Sequence, residues 1–202
     1  MQDSKFTLSD DEIKLLSDKN FFIQKKNSSE KIISALGELN DSINKIKNEY
    51  TNILPELALT VAGKISKGEN YLGFPWIVLD NPRIFTNKDV FAFRSMFWWG
   101  NYFSFTLQLS GIYLQQHSEN ILQNFEKLKR KNYLICINKE LWIHHLESDN
   151  YSRLDDFDKI KMKKLIDENL FFKISRKLEL NDWKEFIKTG KKIVNEYFEL
   201  IS

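Results

Sequence analysis

The stretch VFAFRSMFWWGNYFSFTLQLS, residues 90–110, decides the fold of this chain. It places Gly100 and Asn101, a pair typical of two-residue hairpin turns, between two runs that are rich in aromatic residues. Such side chains pack well on a pleated surface, so residues 90–99 and 102–110 predict two antiparallel strands. The competing prediction is a helix over residues 87–99 that ends at Gly100. Both predictions stay open on the sequence alone.

A two-residue turn would set the register of this hairpin. Trp99 would lie opposite Tyr102, and Arg94 would lie opposite Leu107. One face would then be apolar apart from the arginine, with these members: Val90, Ala92, Arg94, Met96, Trp98, Phe103, Phe105, Leu107 and Leu109. The other face would mix aromatic and hydroxyl side chains. We therefore expect the first face to belong to the core, with Arg94 inside it.

Upstream of the hairpin, the sequence predicts a long amphipathic helix. Apolar residues step by three and four along one seam: Ile32, Leu36, Leu39, Ile43, Ile46, Tyr50 and Ile53. We expect the helix to begin at Ser28 or Ser29 and the seam to pack on the domain's own sheet. Pairing with the same helix of another chain is the alternative. A short helix capped by Ser9 precedes it.

The remaining elements follow from the same kinds of pattern. Residues 57–65 predict a helix, and residues 76–80 predict a buried strand that stops at Asn81-Pro82. Further helices are predicted over residues 118–131, 155–169 and 183–198, strands over residues 133–137, 141–146 and 171–180, and a loop over residues 147–153. The predicted fold class is α+β: a mostly antiparallel sheet with a Gly-Asn hairpin, covered by the long N-terminal helix and by C-terminal helices.

Composition limits the organisation and the chemistry. The chain has 202 residues, 42% hydrophobic and 29% charged, with only 7 Gly and 3 Pro, which predicts a single domain over residues 1–202. The net charge of +2 gives no support to nucleic-acid binding. The single cysteine, Cys136, excludes an internal disulfide, and its apolar neighbours favour a buried structural thiol over a nucleophile.

Compartment and partners are expected from what the sequence lacks. The first residues show no basic segment followed by an apolar one, and no apolar run reaches the about 20 residues of a membrane helix. We therefore expect a bacterial cytoplasmic protein with no membrane partner. No glycine-rich phosphate loop is present, and we expect no cofactor. The expected partner is another protein or a second copy of the chain.

The order of motifs resembles one known group of proteins. The chain combines a Phe6-Thr7 opening, a long helix, an aromatic strand block with Trp99-Gly100, and a helix, strand and helix over residues 155–201. In this layout it resembles the YktB-like uncharacterised bacterial proteins. It departs from them in having Asn101-Tyr102 where that group has a polar residue and a histidine after the turn. The resemblance implies an α+β fold and transfers no activity and no functional residue.

Three charged residues in or beside the predicted core suggest a ligand site. Asp80 and Arg83 lie at the end of a predicted strand, and Arg94 lies in the predicted apolar face, where an unpaired charge would be costly. One interpretation is an internal ion pair of Arg94 with Asp80 or Glu69, of which Asp80 is the expected partner. The other is a pocket for a small carboxylate or phosphate, floored by Arg94 and walled by aromatic residues: Trp76, Trp98, Trp99 and Phe103. Both interpretations stay open.

One dense group of potential metal ligands follows residue 143. In an extended chain His145, Glu147 and Asp149 would point the same way and could bind a divalent metal ion. The alternative is a polar strand end that runs into a loop.

Three functions compete on this evidence. The absence of a catalytic motif and the aromatic-rich sheet favour a non-enzymatic binding or protein-interaction module. The first alternative is a small-anion binder or enzyme with an aromatic-lined pocket around Arg94. The second is a metal-dependent hydrolase that uses His145, Glu147 and Asp149.

Overall fold

The computed structural model describes residues 6–202. Residues 1–5, on which part of the leader-peptide expectation rests, lie outside this range. The described chain forms seven strands, β1 (Lys64–Tyr71), β2 (Phe74–Phe85), β3 (Val90–Trp98), β4 (Tyr102–Ser110), β5 (Tyr133–Cys136), β6 (Tyr151–Arg153) and β7 (Phe171–Glu179). Its α-helices are α1 (Asp10–Ser17), α2 (Lys19–Lys47), α3 (Glu56–Thr60), α4 (Ile112–Asn124), α5 (Lys159–Glu168) and α6 (Phe186–Leu200).

All seven strands belong to one sheet in the order β1-β2-β3-β4-β7-β5-β6, and every neighbouring pair is antiparallel. The predicted α+β fold with a mostly antiparallel sheet is therefore confirmed. Among the described residues, no helix is long and apolar enough to cross a membrane.

The main core lies between one face of the sheet, called here the helix face, and the helices that pack on it. The seam of α2 is buried as predicted, with Leu36, Leu39 and Ile43 fully inaccessible to solvent. The helix begins at Lys19, about two and a half turns before the predicted start. The reason is Asp18, whose side chain accepts hydrogen bonds from the backbone of Asn20 and Phe21 and caps the helix there.

A glycine sets the distance between α6 and the core. A Cβ atom on Gly190 would come within 3.0 Å of the Leu39 side chain and the Phe105 ring. A glycine inside a helix costs stability, and here it allows the close approach of α6 to α2 and β4.

The hairpin is present, but its turn is one residue longer than predicted. Trp99, Gly100 and Asn101 form the loop, Gly100 has φ +71°, and Asn101 N donates to Trp98 O at 3.1 Å. Arg94 therefore pairs with Thr106 instead of Leu107. This one-residue shift moves every β3 side chain relative to β4. The alternative prediction of a helix over residues 87–99 is wrong.

The corrected register assigns different residues to the two faces. The helix face of the hairpin is apolar apart from Ser95: Phe91, Phe93, Phe97, Phe103, Phe105, Leu107 and Leu109. The opposite face carries Arg94, Met96 and Trp98 beside Tyr102, Ser104 and Thr106. Arg94 therefore does not lie in the apolar core face, and the predicted core assignment is wrong for β3.

Strand β2 continues through Asn81-Pro82, where the sequence predicts that it stops. Its ladder with β3 has an irregularity between Asp80 and Arg83 that absorbs the proline. The buried Asn81 amide donates to Asn40 and Asn44 of α2 at 2.8 and 2.9 Å. These side-chain bonds connect the irregular part of β2 to α2.

Several boundaries differ from the predictions. The predicted helix over residues 57–65 ends at Thr60, and β1 begins at Lys64; α4 begins at Ile112, and α5 begins at Lys159. The predicted loop over residues 147–153 contains β6, whereas residues 141–146 form no strand. We call residues 137–150, which connect β5 to β6, the strap, because they cross the sheet face opposite the helices.

Candidate functional site

The strap is tied to the sheet by side chains instead of by strand pairing. Tyr71 Oη of β1 accepts hydrogen bonds from His144 N at 2.6 Å and His145 N at 3.0 Å. Tyr102 Oη of β4 accepts from Leu146 N at 2.7 Å. Lys173 Nζ of β7 donates to the carbonyls of residues 141 and 143 at 3.1 and 2.5 Å. Three strands thus fix the path of an irregular segment, which satisfies its buried backbone groups.

Beneath the strap, Asp80 and Arg94 form a bidentate ion pair. They are register partners on β2 and β3, and Arg94 Nε and Nη2 donate to Asp80 Oδ1 and Oδ2 at 2.7 and 2.9 Å. The predicted internal pair is confirmed. The Arg94 side chain remains 18% exposed and the Asp80 side chain 11% exposed, so the pair borders solvent and is not sealed in the core.

His144 of the strap also contacts the Arg94 guanidinium. Its Nε2 atom lies 2.8 Å from Arg94 Nη1. Arginine has no acceptor, so Nε2 must accept, and the proton of a neutral imidazole then sits on Nδ1. Burial, and next the charge of Arg94, hold the pKa of His144 well below its usual range. The imidazole therefore stays neutral near pH 7 and serves as a fixed acceptor.

A cavity of about 410 Å³ opens between the strap and the sheet, over this guanidinium. Its walls are aromatic, from Tyr71, Trp76 and Trp142, and Arg94 and His144 supply polar groups. Gly68 leaves room for the Trp76 indole, because a Cβ there would lie 2.6 Å from the ring. The volume is within the usual range of small-molecule sites.

A second cavity, of about 310 Å³, shares part of this lining. Both cavities are bordered by Asp80, Arg94 and Trp142, and the second adds Lys64 and Arg83. Arg83 is fixed in place, since its Nε donates to Ala62 O at 2.8 Å. The two cavities therefore adjoin at these shared residues, and together they offer an aromatic part and a basic part.

The structure brings together only some of the predicted ligand-binding residues. Asp80 and Arg94 meet, and Arg83 lines the second cavity. Trp98 lies behind the site, where its ring packs 5.3 Å from that of Tyr71. Trp99 lies on the helix face, 5.1 Å from the Phe97 ring, so its predicted place in the pocket is corrected. The physical reason is the longer turn, which places Trp99 in the loop.

Sequence reasoning missed the contributions of Tyr71, Trp142 and His144. Trp142 and His144 lie two residues apart in the segment 141–146, which the alternation pattern predicts to be a strand. The signal in the sequence was that these two side chains, two residues apart in a predicted strand, would lie on the same side of it. Nothing in the local sequence shows which part of the sheet the strap would cross.

The predicted metal site is not assembled. It requires an extended chain, but residues 147–151 turn: Glu147 O accepts hydrogen bonds from the backbone of Asn150 and Tyr151 at 3.0 and 2.8 Å. His145 Nδ1 lies 3.7 Å from Asp149 Oδ1, and Asp149 points to solvent. Within residues 6–202, no group of three or more His, Cys, Asp or Glu side chains is placed to hold a metal ion. The metal prediction on His145, Glu147 and Asp149 is corrected accordingly.

Lys173, the strap anchor of β7, is fully buried, and burial lowers its pKa to about 8. Lysine in an unfolded chain has a pKa of about 10.4, so above pH 8 the unfolded state binds more protons than the folded state. We expect this lysine to make the free energy of unfolding rise between pH 8 and about 9.5, below the usual range of tyrosine ionisation. Urea denaturation across this range measures the effect.

The control for this pH dependence is a pair of variants on β7. Lys173→Met should remove the rise, whereas Lys177→Met, at a half-exposed position of the same strand, should keep it. Equal pH slopes in the wild type and in Lys173→Met would contradict the buried, perturbed amine.

Comparisons of the chain with protein-family models, with curated proteins and with solved structures find no match.

Proposed function

We propose that this chain is a binding module of the bacterial cytoplasm and that its ligand is a small anionic molecule with a planar ring. The observation that supports this most is the Arg94 guanidinium, held by Asp80 and His144 at the floor of an aromatic cavity. A preset guanidinium loses little freedom when it binds, which favours affinity.

Hydrogen-bond counting supports a polar ligand group over Arg94. Three of its N–H groups are used by Asp80 and His144, and a guanidinium has five. The two that remain are suited to a carbonyl or carboxylate oxygen.

Charge supports an anion. Lys64, Arg83 and Arg94 border the two adjoining cavities, and Asp80 is the acidic residue among the lining groups, which gives a local formal charge of +2. The ring of the ligand would lie against Trp76 and Trp142, since aromatic rings stack favourably on each other. The acidic group would lie toward Lys64 and Arg83.

The test is a binding screen with benzoate, indole-3-acetate and phenyl phosphate, each beside its neutral amide or alcohol. We expect at least one anion to bind and to raise the melting temperature, and its neutral counterpart to bind more weakly. Trp142→Ala should weaken binding by about tenfold, as the loss of one stacking contact predicts.

Trp99→Ala is the matched control, because Trp99 lies on the opposite face of the sheet. It should keep the affinity of the wild type, measured by calorimetry. If no anion binds, or if Trp99→Ala and Trp142→Ala weaken binding equally, the pocket is not the ligand site.

Protein interaction is the second candidate function, and the start of the described chain favours it. Residues 6–23 carry eight exposed large apolar side chains. Such a concentration is typical of interaction surfaces. Kinship with the YktB-like proteins stays a proposal and adds no ligand to either candidate.

We propose no nucleic-acid partner. The sequence has three lysine-rich segments, at residues 127–131, 159–164 and 188–192. Their lysines form ion pairs with nearby acids: Lys129 with Glu126, Lys163 with Asp167, Lys164 with Glu168 and Lys188 with Glu185. A phosphate-binding track would present these charges unpaired.

A further inference from the structure

The first two helices form an arm that has little contact with the rest of the described chain. Helix α1 has no buried residue, and in α2 no residue before Ile32 is buried. One attachment is the ion pair between Lys25 and Glu69, at 3.3 Å. Residues 6–31, the arm, therefore present most of their surface to solvent.

The exposed side chains of the arm are largely apolar. They are Phe6, Leu8, Ile13, Leu15, Leu16, Phe21, Phe22 and Ile23, with exposed fractions from 42% to 86%. With roughly 150–200 Å² per large side chain, these fractions amount to on the order of 800 Å². A standard protein interface takes about this area from each partner.

Helix α1 is too short to be stable by itself. It has 8 residues, and isolated helices of fewer than about 12–15 residues are marginal in water. The Ser9 capping box supports its first turn but supplies no apolar contact. Stability of this helix therefore calls for a packing partner.

The two parts of the arm have opposite charge. Helix α1 has three acidic residues and one lysine, a formal charge of −2. Residues 19–31 of α2 have four lysines and one glutamate, a formal charge of +3, of which the ion pair of Lys25 with Glu69 leaves +2 for a partner. Opposite surfaces of this kind attract and set the orientation of a complex.

The acidic helix cannot cover the basic segment of its own chain. One residue, Asp18, separates α1 from α2, and its side chain is used to cap α2. An antiparallel pair of helices needs a loop of about 2–5 residues. A second copy of the chain carries both surfaces and can satisfy both at once around a two-fold axis.

We propose that the chain forms a symmetric dimer through the arm, in which α1 of each copy packs on residues 19–31 of the other. The apolar side chains supply the contact area, and the two opposite charges set the antiparallel arrangement. This dimer does not depend on the ligand site, which lies under the strap.

The test uses two charge-reversed variants of the full chain. The first is Asp10→Lys with Asp11→Lys, which makes α1 basic and leaves Ser9 and Glu12 of the capping box in place. The second is Lys19→Glu with Lys26→Glu, which makes the start of α2 acidic. Light scattering after size-exclusion chromatography gives the mass of each variant, and circular dichroism checks that each is folded.

We expect the wild type to have twice the mass of the 24.1 kDa chain at micromolar concentration. Each variant alone should be a monomer, because like charges then face each other. An equimolar mixture of the two should recover the doubled mass, since the reversed surfaces are again complementary. A monomeric wild type would overturn the proposal. Variants that remain dimeric alone, or a mixture that stays monomeric, would also overturn it.

Discussion

Replacing Ile43 by alanine is expected to lower the free energy of unfolding by about 2–5 kcal/mol. Ile43 lies in the middle of the buried seam of α2, within the core that the helices form with the sheet, and is fully inaccessible. Removing its branched side chain loses apolar burial and leaves a cavity that close-packed neighbours fill only in part. Urea denaturation at constant slope m measures the loss.

Ile160→Ala in α5 is the matched control for this experiment. Ile160 is 81% exposed, so the same substitution removes almost no buried surface. Its effect should stay within about 0.5 kcal/mol. A similarly small effect at Ile43 would contradict the packing of α2 on its own sheet and would favour the alternative of an intermolecular seam.

The seam was predictable because its spacing is a property of the helix itself. Ile32 to Ile46 recur with helical period, and any partner surface would select the same face. The start of the helix was harder to predict, because three good N-cap residues compete for it: Asp18, Ser28 and Ser29. The stabilisation that an N-cap side chain gives does not by itself decide which of these three residues begins the helix.

The hairpin shows where local rules lose resolution. Gly100-Asn101 correctly predicts the turn, but a loop of two residues and a loop of three fit the same sequence. The choice of three places Trp99 in the loop and exchanges which β3 residues face the helices. An error of one residue therefore transferred Arg94 from the predicted core to the opposite face.

Strand β1 was missed because it lacks an apolar pattern. Its sequence, KISKGENY, is largely polar, as suits an edge strand that bonds on one side to β2. The tertiary pairing, instead of intrinsic propensity, makes it a strand. The strap is a similar case, since Tyr71, Tyr102 and Lys173 fix it from three different strands.

The ion pair at the site was predictable from the free-energy cost of burying an unpaired charge. A charge among apolar neighbours needs a partner, and Asp80 was the nearest candidate acid on an adjacent predicted strand. His144 was not predictable in this way, because a neutral acceptor carries no charge that demands compensation. The cost of an unpaired charge therefore predicts a charged partner for Arg94 but not a neutral one.

The second large effect is expected at this pair. Arg94→Met should lower the free energy of unfolding by about 2–3 kcal/mol, because it leaves the Asp80 carboxylate unpaired and His144 without its donor. The loss should fall below that of a fully buried pair, since both side chains border the cavity. Chemical denaturation of Arg94→Met and of Asp80→Asn gives the loss in free energy of unfolding for each single variant.

A double-mutant cycle separates the pair from its surroundings. Asp80→Asn combined with Arg94→Met should be less harmful than the sum of the single changes, by about 0.5–3 kcal/mol, because the second change removes the charge that the first left unpaired. Strict additivity would mean that the two side chains do not stabilise each other.

The same variant connects stability to the proposed ligand. An anion that binds the folded wild type raises its melting temperature, and more so the tighter it binds at a given concentration, whereas Arg94→Met should show no such rise. The two roles of Arg94 then appear as separate readouts, a lower free energy of unfolding without ligand and a lost stabilisation with it. If Arg94→Met unfolds like the wild type but no longer responds to the anion, the guanidinium serves the ligand alone, and Asp80 positions it without stabilising the fold.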